Sequence, residues 1–276
     1  MNSINQEWIR KDDNKGGGHR FKNIWRYIYP FLVIAVIWEA AVRINLISLA
    51  SVPAPSTLIQ EFIELAFIRF TLWQHLGSSL IRLAIGYSLA ILIGTLIGAL
   101  LSLNGALYAL FEPTLSMLIS VPTIAWVPIL LITLGLGEKT VITAIFISAF
   151  FPVTYNTMRG VHTIPPSISN AARTMGLEGA ALFLKVLLPA SMPSIINGLR
   201  LALGYSWRAL VGAELLAALI EKGMGKMVYQ ARFFNDPAVM MVGLILIGVS
   251  GYLLDQFFLV TVERNTIEKW GMSKRK

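Results

Sequence analysis

Along this chain the charged positions gather in short clusters and leave long apolar runs between them. No Asp, Glu, Lys, Arg or His occurs from Leu83 to Phe111, from Pro113 to Gly137, from Thr140 to Met158 or from Pro237 to Leu254. A helix rises about 1.5 Å per residue, so about 20 such residues cross about 30 Å of hydrocarbon. With Pro, Gly and charge as punctuation, the pattern predicts six spans, near 27–45, 77–102, 113–135, 140–158, 194–219 and 238–262. The first is interrupted by Glu39. Ala90, Gly94 and Gly98 form a small-residue stripe on the second, the pattern of close helix packing. Pro113, Pro122 and Pro128 fall in the third and are expected to kink it. The chain thus reads as an all-α polytopic membrane protein: a polar tail over 1–26, a membrane domain over 27–262 with a long loop at 159–193, and a tail over 263–276.

Composition agrees with this. Apolar residues make up 55% of the 276 positions and charged residues only 14%, against about 25% charged in a soluble domain. Six spans put both termini on one side. Of the 23 Lys and Arg, 14 fall in the two tails and the 159–193 loop, 5 fall in the opposite connections, and Arg43, Arg82, Arg200 and Arg208 lie in or at the ends of spans. That asymmetry places both termini in the cytoplasm. It also accounts for the net charge of +8 without a nucleic acid, because the cations flank spans rather than forming a patch with exposed aromatics. The polar, basic start lacks the apolar core of a cleavable signal peptide, so the first span reads as an uncleaved anchor. Trp25, Trp38 and Trp270 near span ends read as an aromatic belt.

The absence of cysteine excludes a thiolate metal site and a Cys nucleophile. His19, His75 and His162 lie far apart, without metal-binding spacing. No phosphate-binding Gly-rich loop is present either. Gly223-Met224-Gly225-Lys226 comes nearest, but Met227 follows its lysine and Ile220 replaces the first glycine, so the chain is expected to bind no ATP or other cofactor itself. Four charges lie at membrane depth: Glu39, Arg208, Glu214 and Asp255. Such groups face a protein interior or a wet cavity. Arg208 reads either as an attractor of an anionic substrate or as an interhelical or interfacial anchor, and Glu39 and Asp255 read as structural. Arg208 and Glu214 lie six positions apart, so they occupy different sides of one helix and each needs its own partner.

The 159–193 loop holds two short helical stretches. Pro165 and Pro166 open the first, Ser167 or Ser169 can cap it and Gly176 stops it; the second covers 177–187, and Pro189 and Pro193 punctuate the start of the next span. The segment suits either the lipid surface or a cytoplasmic partner. Asn170-Ala171-Ala172, Gly176 and Val186-Leu187-Leu188-Pro189 resemble E-A-A-x3-G-x9-I-x-L-P, a pattern of the cytoplasmic loop of ABC importer permeases, with Asn170 where that family has Glu. Pro53-Ala54-Pro55-Ser56, Ser79-Leu80-Ile81-Arg82, the run from Pro122 to Pro128, Gly135-Leu136-Gly137-Glu138 and the run from Trp207 to Glu214 are similar to the branch importing nitrate, sulfonates and taurine.

The resemblance spans about residues 50–270 and implies the type I importer fold in a bacterial-type inner membrane. It implies a pathway built with a second permease copy, a homodimer by default. It also implies two cytoplasmic ATPase subunits that bind the ATP, and an extracytoplasmic solute-binding protein. A small, anionic solute is expected; an aromatic acid, a vitamin precursor or a self-sufficient secondary carrier are the alternatives. By the same resemblance Asn170, Ala171, Ala172, Arg173, Met175, Gly176 and Pro189 are candidates for ATPase coupling, and Pro122, Trp126, Pro128, Arg208 and Glu214 for the pathway or gate.

Overall fold

The computed structural model describes residues 18–44, 46, 52–217 and 219–258, and the side chains of 18–28 and 258 lie outside the description. The expected C-terminal tail, most of the N-terminal tail, Trp270 and the side chain of Trp25 therefore fall outside it. Two compact units divide at Ile63 and Glu64.

In the first unit, helix α1 (Gly18–Arg43) is followed by α2 (Pro55–Ile63). Glu39 joins them. Its carboxylate accepts from Arg43 Nε at 2.7 Å, from the Ser56 backbone N–H at 3.0 Å and from Ser56 Oγ at 2.8 Å, so it closes the first turn of α2. The structural reading of Glu39 is thereby explained.

The second unit opens with a π-helical turn, Glu64–Ile68, and continues through α3 (Thr71–Ser102), α4 (Gly105–Ser120), α5 (Val127–Leu134), α6 (Glu138–His162), α7 (Pro166–Thr174), the short α8 (Gly179–Leu182), α9 (Leu188–Leu216), α10 (Met224–Phe233) and α11 (Pro237–Phe258). Among the described residues four helical stretches are long and apolar enough to cross a membrane: α3, α6, Gly179–Leu216 and α11. The pair α4 and α5, bent by 91°, would make a fifth. Helix α1 matches the first expected span in place, but Glu39 and its charged N-terminal half leave the uncharged section, 27–38, short of a bilayer crossing.

Helix α6 is the centre, with α3 on one side and α9 on the other. Small residues let the backbones meet. A Cβ on Gly98 of α3 would lie 2.6 Å from the Thr154 carbonyl oxygen of α6, and one on Gly198 of α9 would lie 2.5 Å from the Asn156 Cβ. The Ala90, Gly94, Gly98 stripe is buried against α6, as its spacing predicts. Ile81, Ile85, Leu89, Leu92, Leu96 and Leu100, on the other side of α3, stay exposed, the inverse of a soluble protein and the pattern lipid requires.

Three expectations need correction. The third span starts at Gly105, capped by the Asn104 side chain on the Ala106 N–H at 2.8 Å, and runs through Pro113. It breaks at Val121 and Pro122, passes through a 3₁₀ turn at Thr123–Trp126 and restarts with Pro128 in the first turn of α5, where no helical hydrogen bond is lost. Only Pro122 thus marks a break. The stretch expected to form a separate helix over 177–187 instead runs into α9. A π-helical turn at Phe183–Leu187 reaches Leu188, and the helix passes both Pro189 and Pro193. Neither Ser167 nor Ser169 caps α7, which starts after Pro165.

Candidate functional site

Three groups of side chains stand out. The first lies where α3 begins and α9 ends. His75, Ser79 and Arg82 follow one another at helical spacing on one face of α3. Glu214 on α9 is fully buried, and its carboxylate accepts from Ser79 Oγ at 2.8 Å, Arg82 Nη1 at 2.6 Å and the Gly225 N–H at 2.9 Å. Arg82 turns its other edge to Glu138, the first residue of α6, with Nη2 donating to Oε1 at 2.7 Å. Ser79 Oγ also accepts from the Met224 N–H at 2.8 Å, and the Gly223 N–H donates to His75 Nδ1 at 3.0 Å. One arginine and one buried carboxylate thus hold the ends of α3, α6 and α9 and the start of α10. Gly223 and Gly225 are required there: a Cβ on either would sit 2.6 Å from the Glu214 carboxyl carbon or 2.5 Å from the Val211 carbonyl oxygen.

The second group faces open space. A groove of about 660 Å³ between α9 and α11 is lined by Asn197, Tyr205, Arg208, Tyr252, Asp255 and small or apolar residues between them. Arg200 and Asp255 pair across it, Nε to Oδ1 at 3.1 Å and Nη2 to Oδ2 at 3.2 Å, so Asp255 is paired between helices. Arg208 is exposed on the same wall and makes no side-chain hydrogen bond or ion pair among the described residues. A smaller cavity of about 140 Å³ lies at the break between α4 and α5, lined by Pro122, Thr123 and Trp126, by Ile147, Ser148, Phe151 and Pro152 of α6, and by Tyr205, which also lines the groove. Of the pathway candidates, Pro122 and Trp126 are at this cavity and Arg208 in the groove. Pro128 is exposed at the start of α5, and Glu214 is enclosed in the ionic cluster.

The third group is α7 and its surroundings. Gly176 has φ +82, the left-handed conformation that ends the helix, and the Leu177 N–H returns to the Ala172 carbonyl at 3.1 Å. Asn170, Ala171, Arg173, Met175 and Gly176 are exposed, Met175 at 74%. Ala172, at 2%, is turned inward and seats the helix on its own chain, and Pro189, half-buried, lies inside α9. Just before α7, the start of α4 and the end of α6 are tied together. Tyr108 and His162 stack with centroids 3.7 Å apart, and Arg159 Nη1 donates to Tyr155 Oη at 2.8 Å, which donates to Glu112 at 3.3 Å.

Sequence reasoning found Glu214 but not its partners. Arg82 and Glu138 sit at the edges of apolar runs, where charge is ordinary. The signal that was available is the spacing of His75, Ser79 and Arg82, three polar groups on one helical face.

Residues 90–265 match the family described as binding-protein-dependent transport system inner membrane component. A Bacillus subtilis protein whose name refers to an aliphatic sulfonates transport permease is 33% identical over 98% of this chain and 94% of its own length. The taurine transport system permease of Escherichia coli is 32% identical over 81% of this chain and 82% of its own. Among solved structures, a chain of the MetNI methionine ABC transporter in inward-facing conformations superposes with a TM-score of 0.61, covering 71% of this chain and 96% of that one at 22% identity, a likeness of fold. With a helical bundle, apolar outward faces and two sequence relatives matched over 98% and 81% of its length, the chain belongs to the binding-protein-dependent inner membrane components, the permease subunits of ABC importers.

Proposed function

We propose that this permease passes a small anionic solute, a sulfonate or an inorganic anion of similar size, along α9. Arg208 is the observation that carries this reading. In a groove whose other charged pair is internally neutralised, it is a cation without a counter-ion among the described residues, and at membrane depth such a group is stable only beside water or a bound anion. Two relatives whose names refer to sulfonates or taurine support the same class.

Two copies of the chain form the passage, with both termini and the 159–193 loop in the cytoplasm, as the distribution of Lys and Arg favours. The exposed residues of α7 contact the ATPase subunits, and an extracytoplasmic binding protein delivers the solute at the opposite face. The chain binds no nucleotide. Its nearest glycine-rich stretch is committed to packing, with Gly223 and Gly225 against Glu214 and Lys226 buried.

The test is uptake of labelled methanesulfonate and nitrate by proteoliposomes holding the permease, its ATPase subunits and its binding protein. Arg208→Met is expected to lower uptake about tenfold or more, in line with loss of a charge-assisted contact, and Arg208→Lys to restore part of it. Unchanged anion uptake in Arg208→Met would remove the reading.

A further inference from the structure

The cavity at the break between α4 and α5 has a chemistry of its own. It lies near the middle of α6, lined there by Ile147, Ser148, Phe151 and Pro152, so it is at membrane depth. Its polar side chains divide into two sets. Ser120 Oγ donates to the Ser116 carbonyl at 3.0 Å and Ser148 Oγ to the Ile145 carbonyl at 2.8 Å, and these hydroxyls are thereby satisfied within their own helices. The hydroxyls of Thr123 and Tyr205 and the indole N–H of Trp126 make no hydrogen bond to another protein group among the described residues. Thr123 and Trp126 are half-buried and Tyr205 is exposed, so these three neutral donors at the cavity stand open to a ligand that enters it. Acidic side chains are absent from the lining, so nothing there repels an anion.

We infer that this cavity is a transit subsite for an oxyanion group, held by the Thr123 and Tyr205 hydroxyls and the Trp126 N–H, next in line to Arg208. The inference rests on the reading that the chain passes small anions. The order of groups has a physical reason. Arg208 draws the anion by charge, whereas a second full cation at mid-depth would hold it too firmly to leave; neutral donors bind weakly enough for release. Tyr205 lines both the groove and the cavity, so one side chain borders the two stations. The break at Val121 and Pro122 places Thr123 and Trp126 in a 3₁₀ turn instead of a continuous helix, which is what brings both to the cavity.

The experiment uses the complete reconstituted importer with methanesulfonate and nitrate as probes. Thr123→Val combined with Tyr205→Phe removes two donors and keeps the shapes, and Trp126→Phe removes the third. Each is expected to cut the rate of anion uptake about tenfold, with the thermal midpoint and basal ATP hydrolysis unchanged. Thr123→Ser, which keeps the hydroxyl, should retain wild-type uptake, a distinction that a purely packing role would not produce. If the wild type imports the anions and the donor-less variants do so equally well, the subsite falls and the anion reading stands. If the wild type imports neither anion, both fall.

Discussion

Replacing Arg82 by Leu is expected to destabilise the permease by about 3–5 kcal/mol, because Glu214 would be left as a buried carboxylate without its cation. That is a large part of the 5–15 kcal/mol that holds a typical protein together, so little folded protein should accumulate. Glu214→Leu strands Arg82 less completely, since Glu138 remains on its other edge. Glu138→Gln should cost less than about 1 kcal/mol, because that carboxylate is 54% exposed and screened. The diagnostic variant is the double one. With both Arg82 and Glu214 replaced by Leu no charge is stranded, and the protein should be more stable than Arg82→Leu alone, a coupling readable from thermal unfolding in detergent. Additive losses in the double variant would show that the pair is not the unit described here.

Gly176→Leu is expected to reduce uptake more than tenfold while the assembled complex still hydrolyses ATP. Two costs must be separated. The backbone at Gly176 is left-handed, which costs any L-residue about 1–2 kcal/mol. The space beside it is open: a Cβ there meets no atom of this chain within 4 Å. Gly176→Ala pays the backbone cost with little added bulk and should lose much less uptake than Gly176→Leu. Any larger effect of Leu then reports a surface outside this chain pressed against that position. Equal uptake in the two variants would mean that nothing docks there.

Much of this could be read from the residues alone. Charge-free runs located the helices now seen as α3, α6 and α11, because lipid leaves the sequence little freedom there, and hydropathy read between scattered charges located α9. The Ala90, Gly94, Gly98 stripe pointed to the α3–α6 contact, and Gly176 to the end of α7. Boundaries were less legible. Glu112 and Pro113 look like the edge of a span, yet α4 continues through them, since Glu112 meets Tyr155 on α6. Pro189 and Pro193 look like stops, yet a π-helical turn carries the helix past them. Among candidate site residues, Glu214 was visible as an anomaly at membrane depth, but its role depended on Arg82 and on two glycines after it, partners brought close only by the fold. The Thr123, Trp126 and Tyr205 constellation was invisible for the same reason: it draws on two segments far apart in the chain.

The central claim is that movement reaches this passage from ATPase subunits through the exposed face of α7. The chain contains no cysteine, so Met175→Cys provides a single thiol at a position that is 74% exposed. In the assembled importer this thiol is expected to form a crosslink to the ATPase subunit, in a yield that changes when ATP is added, and to resist membrane-impermeant maleimide applied outside intact cells. Labelling from the outside, or a complex that imports solute without any such crosslink, would contradict the account.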